Sequence, residues 1–116
     1  MSSRQVSIID LFSGPGGLSE GFSRPDFDGF FGPTVSVEMD SVACMTLKLR
    51  KLFHALKGDE RKQYYKLLES SRNIAWEDIS HNFRRYIEHI DNTVWEHRLG
   101  DLSASETCLK IDERLK

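Results

Sequence analysis

The chain has 116 residues, a length that suits one small domain with a modest core and is too short for a two-domain enzyme. Hydrophobic residues make up 39% of it, and no run approaches the ~18 consecutive apolar residues of a membrane span. The net charge of −2 and the two widely spaced cysteines predict neither a strongly basic protein nor a disulfide framework. Residues 1–4 lead into a strand without a signal-like apolar region, so we expect a cytoplasmic protein with free thiols.

The first predicted element is a short buried strand, Val6 to Ile9, which a glycine-dense turn follows directly. The turn reads Asp10-Leu11-Phe12-Ser13-Gly14-Pro15-Gly16-Gly17. In an open α/β sheet the ligand crevice lies beyond the carboxyl ends of the strands, and glycines there let the backbone approach a ligand closely. The sequence therefore predicts a nucleotide-like ligand at this turn.

A second strand is predicted at residues 34–37, and it ends in Glu38, 21 residues after Gly17. That spacing suits a carboxylate that accepts hydrogen bonds from two ribose hydroxyls. Between the strands, Leu18 to Phe22 predicts a short helix. The stretch from Pro25 to Pro33 contains too many helix and strand breakers for regular structure.

Helices are predicted for the rest of the chain. Asp40 is expected to cap the first of them, and Gly58 to end it. Its apolar stripe consists of Val42, Met45, Leu49, Leu52, Phe53 and Leu56. A second helix starts near Asp59, and a third starts near Trp76. The stripe of the third consists of Ile79, Phe83, Tyr86, Ile87, Ile90 and Val94. Ser103, with Glu106 three residues later, predicts the start of a last helix that reaches residue 115.

Two runs of the sequence resemble the first two motifs of the DNA cytosine-5 methyltransferases. They are IDLFSGPGGLSEGF, at residues 9–22, and VEMDSVACMT, at residues 37–46. The resemblance covers residues 5–57 closely, and beyond them the chain is similar to a variable helical insertion of some members. It implies an α/β fold, a truncated Rossmann-like methyltransferase domain whose β-α-β-α start spans residues 1–57. Residues 58–116 would then form the helical insertion.

The resemblance also implies S-adenosylmethionine as the cofactor. Glu38 would accept both ribose hydroxyls, and Phe12 and Met39 would lie against the two faces of the adenine, with plain core packing as the alternative for Met39. Asp10 would orient either the glycine loop or the ammonium group of the donor. Asp101 resembles the aspartate of the third motif, which bonds the adenine amino group, although it could equally cap a helix. The implied cofactor-binding residues are Asp10, Phe12, Ser13, Gly14, Pro15, Gly16, Gly17, Leu18, Glu38, Met39 and Asp101.

Family members use a Pro-Cys nucleophile and a later Glu-Asn-Val segment, and neither occurs in this sequence. Cys44 follows Ala43, and Cys108 follows Thr107. Cys44 is expected to be a small buried residue. The resemblance thus implies the cofactor-binding front part of a DNA methyltransferase, as in restriction-modification systems, which is inactive alone. We expect a second chain or a further segment to carry the cysteine. Because two strands cannot supply an independent core, we also expect self-association or marginal stability.

Other functions remain open. A non-catalytic S-adenosylmethionine-binding or regulatory module would carry the same turn and carboxylate. A nicotinamide-dinucleotide-binding domain is disfavoured, because its fingerprint needs Gly or Ala where Ser19 stands. Pro15 also removes a backbone donor that a pyrophosphate would use, whereas S-adenosylmethionine has no phosphate. The four histidines lack the spacing of metal ligands.

One segment, residues 48–72, is basic, with eight basic and three acidic residues and hence a net charge of +5. It is the candidate electrostatic footprint for DNA, and a solvated helix face is the alternative. Its basic residues are Lys48, Arg50, Lys51, Lys57, Arg61, Lys62, Lys66 and Arg72.

Overall fold

A computed structural model describes residues 5–22, 24, 29–70 and 76–116. The predictions that concern Pro25, Arg72 and residues 1–4 lie outside the described residues. The elements in the described part are β1 (Val6–Leu11), α1 (Gly17–Phe22), β2 (Phe31–Glu38), α2 (Ser41–Ala55), α3 (Asp59–Ser70), α4 (Trp76–Asn82), α5 (Arg84–Thr93), β3 (Val94–Glu96) and α6 (Ala104–Leu115).

The three strands form a parallel sheet in the order β1-β2-β3. Leu11 pairs with Val37, which pairs in turn with Trp95. This order corresponds to one half of a doubly wound sheet, in which the chain steps outward from the first strand. The predicted mixed α/β class is confirmed, and the fold is compatible with a truncated Rossmann-like methyltransferase domain.

Helices cover the two faces of the sheet separately. Register partners in a parallel pair share a face, so Ser36 and Val94 lie on one side and Val37 and Trp95 on the other. Cys44 and Leu47 of α2 pack with Val94, and we call this side the α2 face. On the opposite side, the α6 face, Ile111 packs with Val35, Val37 and Trp95. α2 and α6 thus shield β2 and β3 from both sides.

A second buried cluster joins α2 to the helices that follow it. Its members are Leu52, Leu56, Tyr64, Ile79, Phe83 and Ile90. The apolar periodicity of residues 49–56 is confirmed as a packing surface. The expectation for Val42 was wrong, because its side chain is 71% exposed in the first turn of α2. The buried residues in that half of the helix are Cys44 and Leu47 instead.

The prediction of one helix from Trp76 through Val94 was wrong at two points. The chain breaks at Phe83, whose φ of −129° and ψ of 40° are not helical, and α4 and α5 form in place of one helix. Val94 to Glu96 then pair with Ser36 to Glu38 as β3. Long-range pairing of a β-branched and aromatic run therefore overrides the helical periodicity.

The expected irregular stretch before the second strand is also shorter than predicted, because β2 already begins at Phe31. Val6 pairs with Phe31 and Ile8 with Thr34, so β2 carries one extra residue at this point. Gly32 and Pro33 occupy that bulge. Proline has no N–H for the ladder and is tolerated where the ladder is interrupted.

None of the helices in the described ranges has the length and apolarity needed to cross a membrane.

Candidate functional site

The carboxyl ends of the three strands meet at one edge of the sheet, as parallel strands require. The Ser13 amide, just after β1, donates to the carbonyl of Val37 at 3.2 Å. The His97 amide, just after β3, donates to the carbonyl of Glu38 at 2.9 Å. These bonds bring the glycine turn, the end of β2 and the end of β3 together, where ligands bind in open α/β sheets.

The turn after β1 has a left-handed backbone. Phe12 has a φ of 56°, Gly14 of 58° and Gly16 of 100°. Phe12 is the one non-glycine residue with positive φ in the described ranges, and such a conformation costs on the order of 1–3 kcal/mol in a bulky residue. The Phe12 side chain is 77% exposed. Strain that holds an aromatic ring in solvent at a strand end is typical of a ligand-contacting position.

The two glycines of the turn have different neighbours. A β-carbon at Gly16 would lie 2.7 Å from Leu47 Cδ2, so the missing side chain lets the turn pack against α2. A β-carbon at Gly14 would meet no atom of the described residues within 4 Å. Gly16 therefore serves packing, and Gly14 borders open space that is available to a ligand. Both need the positive φ that glycine adopts without strain.

Glu38 is the last residue of β2 and is partly buried. Its Oε2 atom is inaccessible to solvent and has no hydrogen-bond partner in the described part of the chain. Buried polar atoms are nearly always paired, because an unpaired one costs about 1–3 kcal/mol. The Glu38 carboxylate therefore keeps an acceptor atom that no described residue uses.

Apolar side chains around this edge are exposed. Met39 is 66% exposed and Leu18 is 62% exposed, which is unlike core residues. The alternative of plain core packing for Met39 is therefore wrong. The next residue, Asp40, caps α2, because its Oδ2 accepts from the Ala43 amide at 2.8 Å, and this confirms the predicted cap.

Asp10 lies on the α2 face of β1 and is buried. The Ser19 hydroxyl donates to its Oδ2 at 3.4 Å, and Ser19 belongs to α1. This contact favours the bracing role among the two predicted for Asp10, because the carboxylate ties β1 to the helix that follows the turn.

Asp101 lies in the loop between β3 and α6. Its side chain is exposed, and its amide donates to the Arg98 carbonyl at 3.2 Å. The residue that caps α6 is Ser103, whose hydroxyl accepts from the Glu106 amide at 3.2 Å. The capping alternative for Asp101 is therefore wrong, whereas the cap predicted at Ser103 is confirmed. No contact within the described residues joins Asp101 to Glu38, and its ligand role stays a prediction.

His97 is a candidate that sequence reasoning missed. Its ring stacks on Trp95 with centroids 4.0 Å apart and an interplanar angle of 5°. Its Nε2 is buried without a partner in the described part of the chain. The helical periodicity that runs up to Val94 hides β3, and with it the place of His97 at a strand end. The β-branched and aromatic run Thr93-Val94-Trp95 was the signal that could have revealed it.

The two cysteines differ in environment. Cys44 is 2% exposed, and burial raises the pKa of its thiol to about 11, with the Glu96 and Glu38 carboxylates adding to the shift. A thiol of this kind is protonated at neutral pH and is a poor nucleophile. The prediction that Cys44 is a small buried residue is confirmed. Cys108 is exposed on α6.

The basic segment does not form one continuous surface. Lys48 pairs with Asp91 at 3.1 Å, Arg50 with Glu20 at 3.5 Å, and Lys62 with Asp59 at 3.9 Å. Three other basic residues, Lys51, Lys57 and Arg61, border a cavity on the α2 face. The described part of the segment is thus divided between local ion pairs and a concave site.

A parallel sheet with a glycine turn after its first strand and a carboxylate at the end of its second defines a nucleotide-type cofactor fold. Over 85 residues the chain is 39% identical to a type II methyltransferase of Bacillus paralicheniformis, across 70% of this chain and 18% of that protein. The chain therefore spans about a fifth of the length of this curated relative. No family model matches the chain, and no solved structure matches it significantly. Over these 85 residues the similarity supports a relationship to methyltransferases.

Proposed function

We propose that the chain is the S-adenosylmethionine-binding front part of a DNA cytosine-5 methyltransferase. The observation that carries the proposal is the Glu38 carboxylate at the end of β2, beside the left-handed turn of Phe12 to Gly16, with one buried oxygen that has no partner among the described residues. A ribose diol supplies two hydroxyl donors, and hydrogen bonds to a charged acceptor are stronger than neutral ones.

The remaining residues of the edge suit the other parts of the cofactor. Phe12 and Met39 present exposed apolar side chains for the two faces of the adenine. The open space beside Gly14 lets the backbone approach the methionine end. Pro15 removes one backbone donor, and a cofactor without a phosphate does not need it. When bound, S-adenosylmethionine supplies the methyl group.

Cytosine-5 chemistry also needs a thiolate that adds to carbon 6 of the base. Cys44 does not suit this role, because it is buried and its pKa is raised to about 11. We propose that a further segment or partner chain carries the Pro-Cys and Glu-Asn-Val motifs, and that DNA is the substrate of the complete enzyme.

The sheet offers a place for such a segment. β1 is an edge strand, since its described partner is β2 alone. Its apolar residues Val6, Ile9 and Leu11 are 47%, 49% and 46% exposed. A parallel sheet is normally covered on both faces and carries further strands beyond the switch point. We therefore propose that a strand of the missing part pairs with the free edge of β1.

Calorimetry with S-adenosylmethionine tests the cofactor site. The Glu38→Gln substitution keeps the size of the side chain and removes its charge, and we expect it to weaken binding by about 1.5–3 kcal/mol. Glu113→Gln makes the same change on the exposed surface of α6 and is the matched control. Equal affinity of the Glu38 variant and the unchanged protein would contradict the cofactor assignment.

Transfer of labelled methyl groups to cytosine-containing DNA tests the catalytic part of the proposal. We expect no transfer by the chain alone, and transfer when a polypeptide with the Pro-Cys and Glu-Asn-Val motifs is added. Cofactor binding without transfer in that mixture would favour the non-catalytic, regulatory module. Transfer by the isolated chain, abolished by Cys44→Ser or Cys108→Ser, would overturn the assignment as a partial enzyme.

A further inference from the structure

A cavity of about 530 Å³ lies on the α2 face, between α1, the strands β1 and β2, and α2 with the start of α3. Its volume is within the range of small-molecule sites. The cofactor site proposed above lies at the carboxyl edge of the sheet and uses other side chains, apart from the bracing carboxylate of Asp10. The polar residues of the cavity that carry the following inference are Asp10, Ser36, Lys51, Lys57 and Arg61.

Lys51 is the central basic residue of the cavity. Its Nζ donates to the Thr34 hydroxyl at 3.2 Å, and within the described residues it forms no salt bridge. Burial lowers the pKa of Lys51, and the Asp10 carboxylate opposes that shift. An ammonium group that is held away from water gains from an anion at its side.

Two further groups hold unused donors. Ser36 is 1% exposed, and its hydroxyl has no partner in the described part of the chain. Arg61 is fixed in place, because its Nη2 donates to the Phe53 carbonyl at 3.2 Å and its guanidinium lies 4.1 Å from the centre of the Phe53 ring. The Nε of Arg61 is buried and also lacks a partner among the described residues.

Among the described residues, the carboxylates near the cavity are already engaged. Glu20 accepts from His54 at 2.9 Å and pairs with Arg50 at 3.5 Å. Asp10 accepts from the Ser19 hydroxyl. The described lining therefore holds one carboxylate, that of Asp10, and four Lys or Arg side chains, those of Arg24, Lys51, Lys57 and Arg61, and this balance favours an anion.

We propose that this cavity binds a phosphate group on a ligand of mononucleotide size. Phosphate oxygens accept charge-assisted hydrogen bonds from ammonium and guanidinium groups and ordinary ones from a hydroxyl. The rings of Phe22, Phe31 and Phe53 line the same cavity and offer apolar and stacking surface to a base. The phosphate belongs either to a free mononucleotide or to the phosphorylated end of a DNA strand.

Titration calorimetry with deoxycytidine monophosphate tests the site. We expect Lys51→Met to weaken binding about tenfold and Ser36→Ala to weaken it about threefold, in line with hydrogen bonds to charged and neutral groups. Lys110→Met, on the exposed surface of α6, is the matched control and leaves binding unchanged. Deoxycytidine without phosphate is expected to bind more weakly than the monophosphate.

Short single-stranded DNA with and without a 5′-phosphate distinguishes the two sources. A preference for the phosphorylated strand over the free mononucleotide assigns the site to DNA ends, and the reverse preference assigns it to a free nucleotide. If Lys51→Met fails to fold, two other variants test the phosphate site in its place. They are Lys57→Met, at an exposed position, and Ser36→Ala.

Two results would overturn the proposal. Either deoxycytidine monophosphate does not bind, or it binds the Lys51 and Ser36 variants as tightly as it binds the unchanged protein. Measuring the affinity for S-adenosylmethionine in the same variants distinguishes failure of this proposal from failure of the proposed function. We expect Ser36→Ala to leave that affinity unchanged, so each site can fail while the other stands.

Discussion

Gly16 and Leu47 lie in direct contact, because a β-carbon at Gly16 would be 2.7 Å from Leu47 Cδ2. Leu47 is 1% exposed and packs with Cys44 and Val94 between α2 and the sheet. Protein interiors are close-packed, so a shift of the buried Leu47 side chain would disturb its neighbours. The glycine turn is therefore held against α2, and the position of the turn at the carboxyl edge depends on this contact.

The Gly16→Ala substitution is expected to lower the free energy of unfolding by about 1–3 kcal/mol, through the contact with Leu47 and the strain of alanine at positive φ. Gly21 is the matched control, since it lies in α1 and no atom of the described residues lies within 4 Å of a β-carbon placed there. Gly21→Ala is expected to raise the free energy of unfolding by about 0.5–1 kcal/mol. Urea unfolding measures both, and equal stability of the two variants would contradict the packing role of Gly16.

The two thiols are expected to react at different rates with a thiol-specific reagent at neutral pH. Cys108 is exposed and should react in the native protein, whereas Cys44 is buried with its pKa raised to about 11 and should react only after unfolding. Absorbance of the released chromophore counts the thiols. Cys108→Ser should abolish the fast phase, and a fast phase that persists would show that Cys44 is reactive.

The free edge of β1 is expected to cause self-association of the isolated chain, because an exposed apolar edge strand is a template for pairing. Ile9→Lys places a charge in that row and should shift the sedimentation profile toward monomer. Leu109→Lys is the matched control, since Leu109 is 63% exposed on α6 and away from the strand edge. A similar shift for both variants would assign the association to general surface hydrophobicity and not to β1.

The Glu20 carboxylate is expected to add stability that is lost in acid. Its hydrogen bond to His54 lowers the pKa of Glu20 below 4.5, and attraction to His54 and Arg50 adds to this against a smaller opposing effect of burial. A lowered folded-state pKa means that the contribution is present above pH 4.5 and is lost as pH falls through the folded-state value. Glu20 is 44% exposed, so solvent screening keeps the contribution small.

Thermal unfolding as a function of pH measures this effect. Glu20→Gln should make the melting temperature fall less steeply below pH 4.5 than in the unchanged protein. Glu88→Gln, at an exposed position of α5, should leave the steepness of this fall unchanged. An identical acid limb in the Glu20 variant and the unchanged protein would show that the contact between α1 and α2 adds no stability.

Several features could be predicted from the sequence alone, because they depend on interactions between residues that are close together in the chain. Asp40 and Ser103 cap helices because their side-chain oxygens reach amides three residues later, which needs no distant partner. The glycine turn and Glu38 were readable because a left-handed turn needs glycine and because a strand end is visible where the apolar run stops. The burial of Cys44 was expected because a free cysteine behaves as a small apolar residue.

Features that depend on residues far apart in the sequence were decided by the tertiary structure. Val94 became part of a strand because β2 offered an unpaired edge, although its spacing fitted a helix. Val42 is exposed because α2 packs on the sheet through Cys44 and Leu47. The cavity of Ser36, Lys51 and Arg61 joins β2, α2 and α3, and only packing brings these elements together. Sequence periodicity indicates which residues lie on the same helix or strand. Strand pairing and side-chain packing between distant residues determine which helices and strands contact each other.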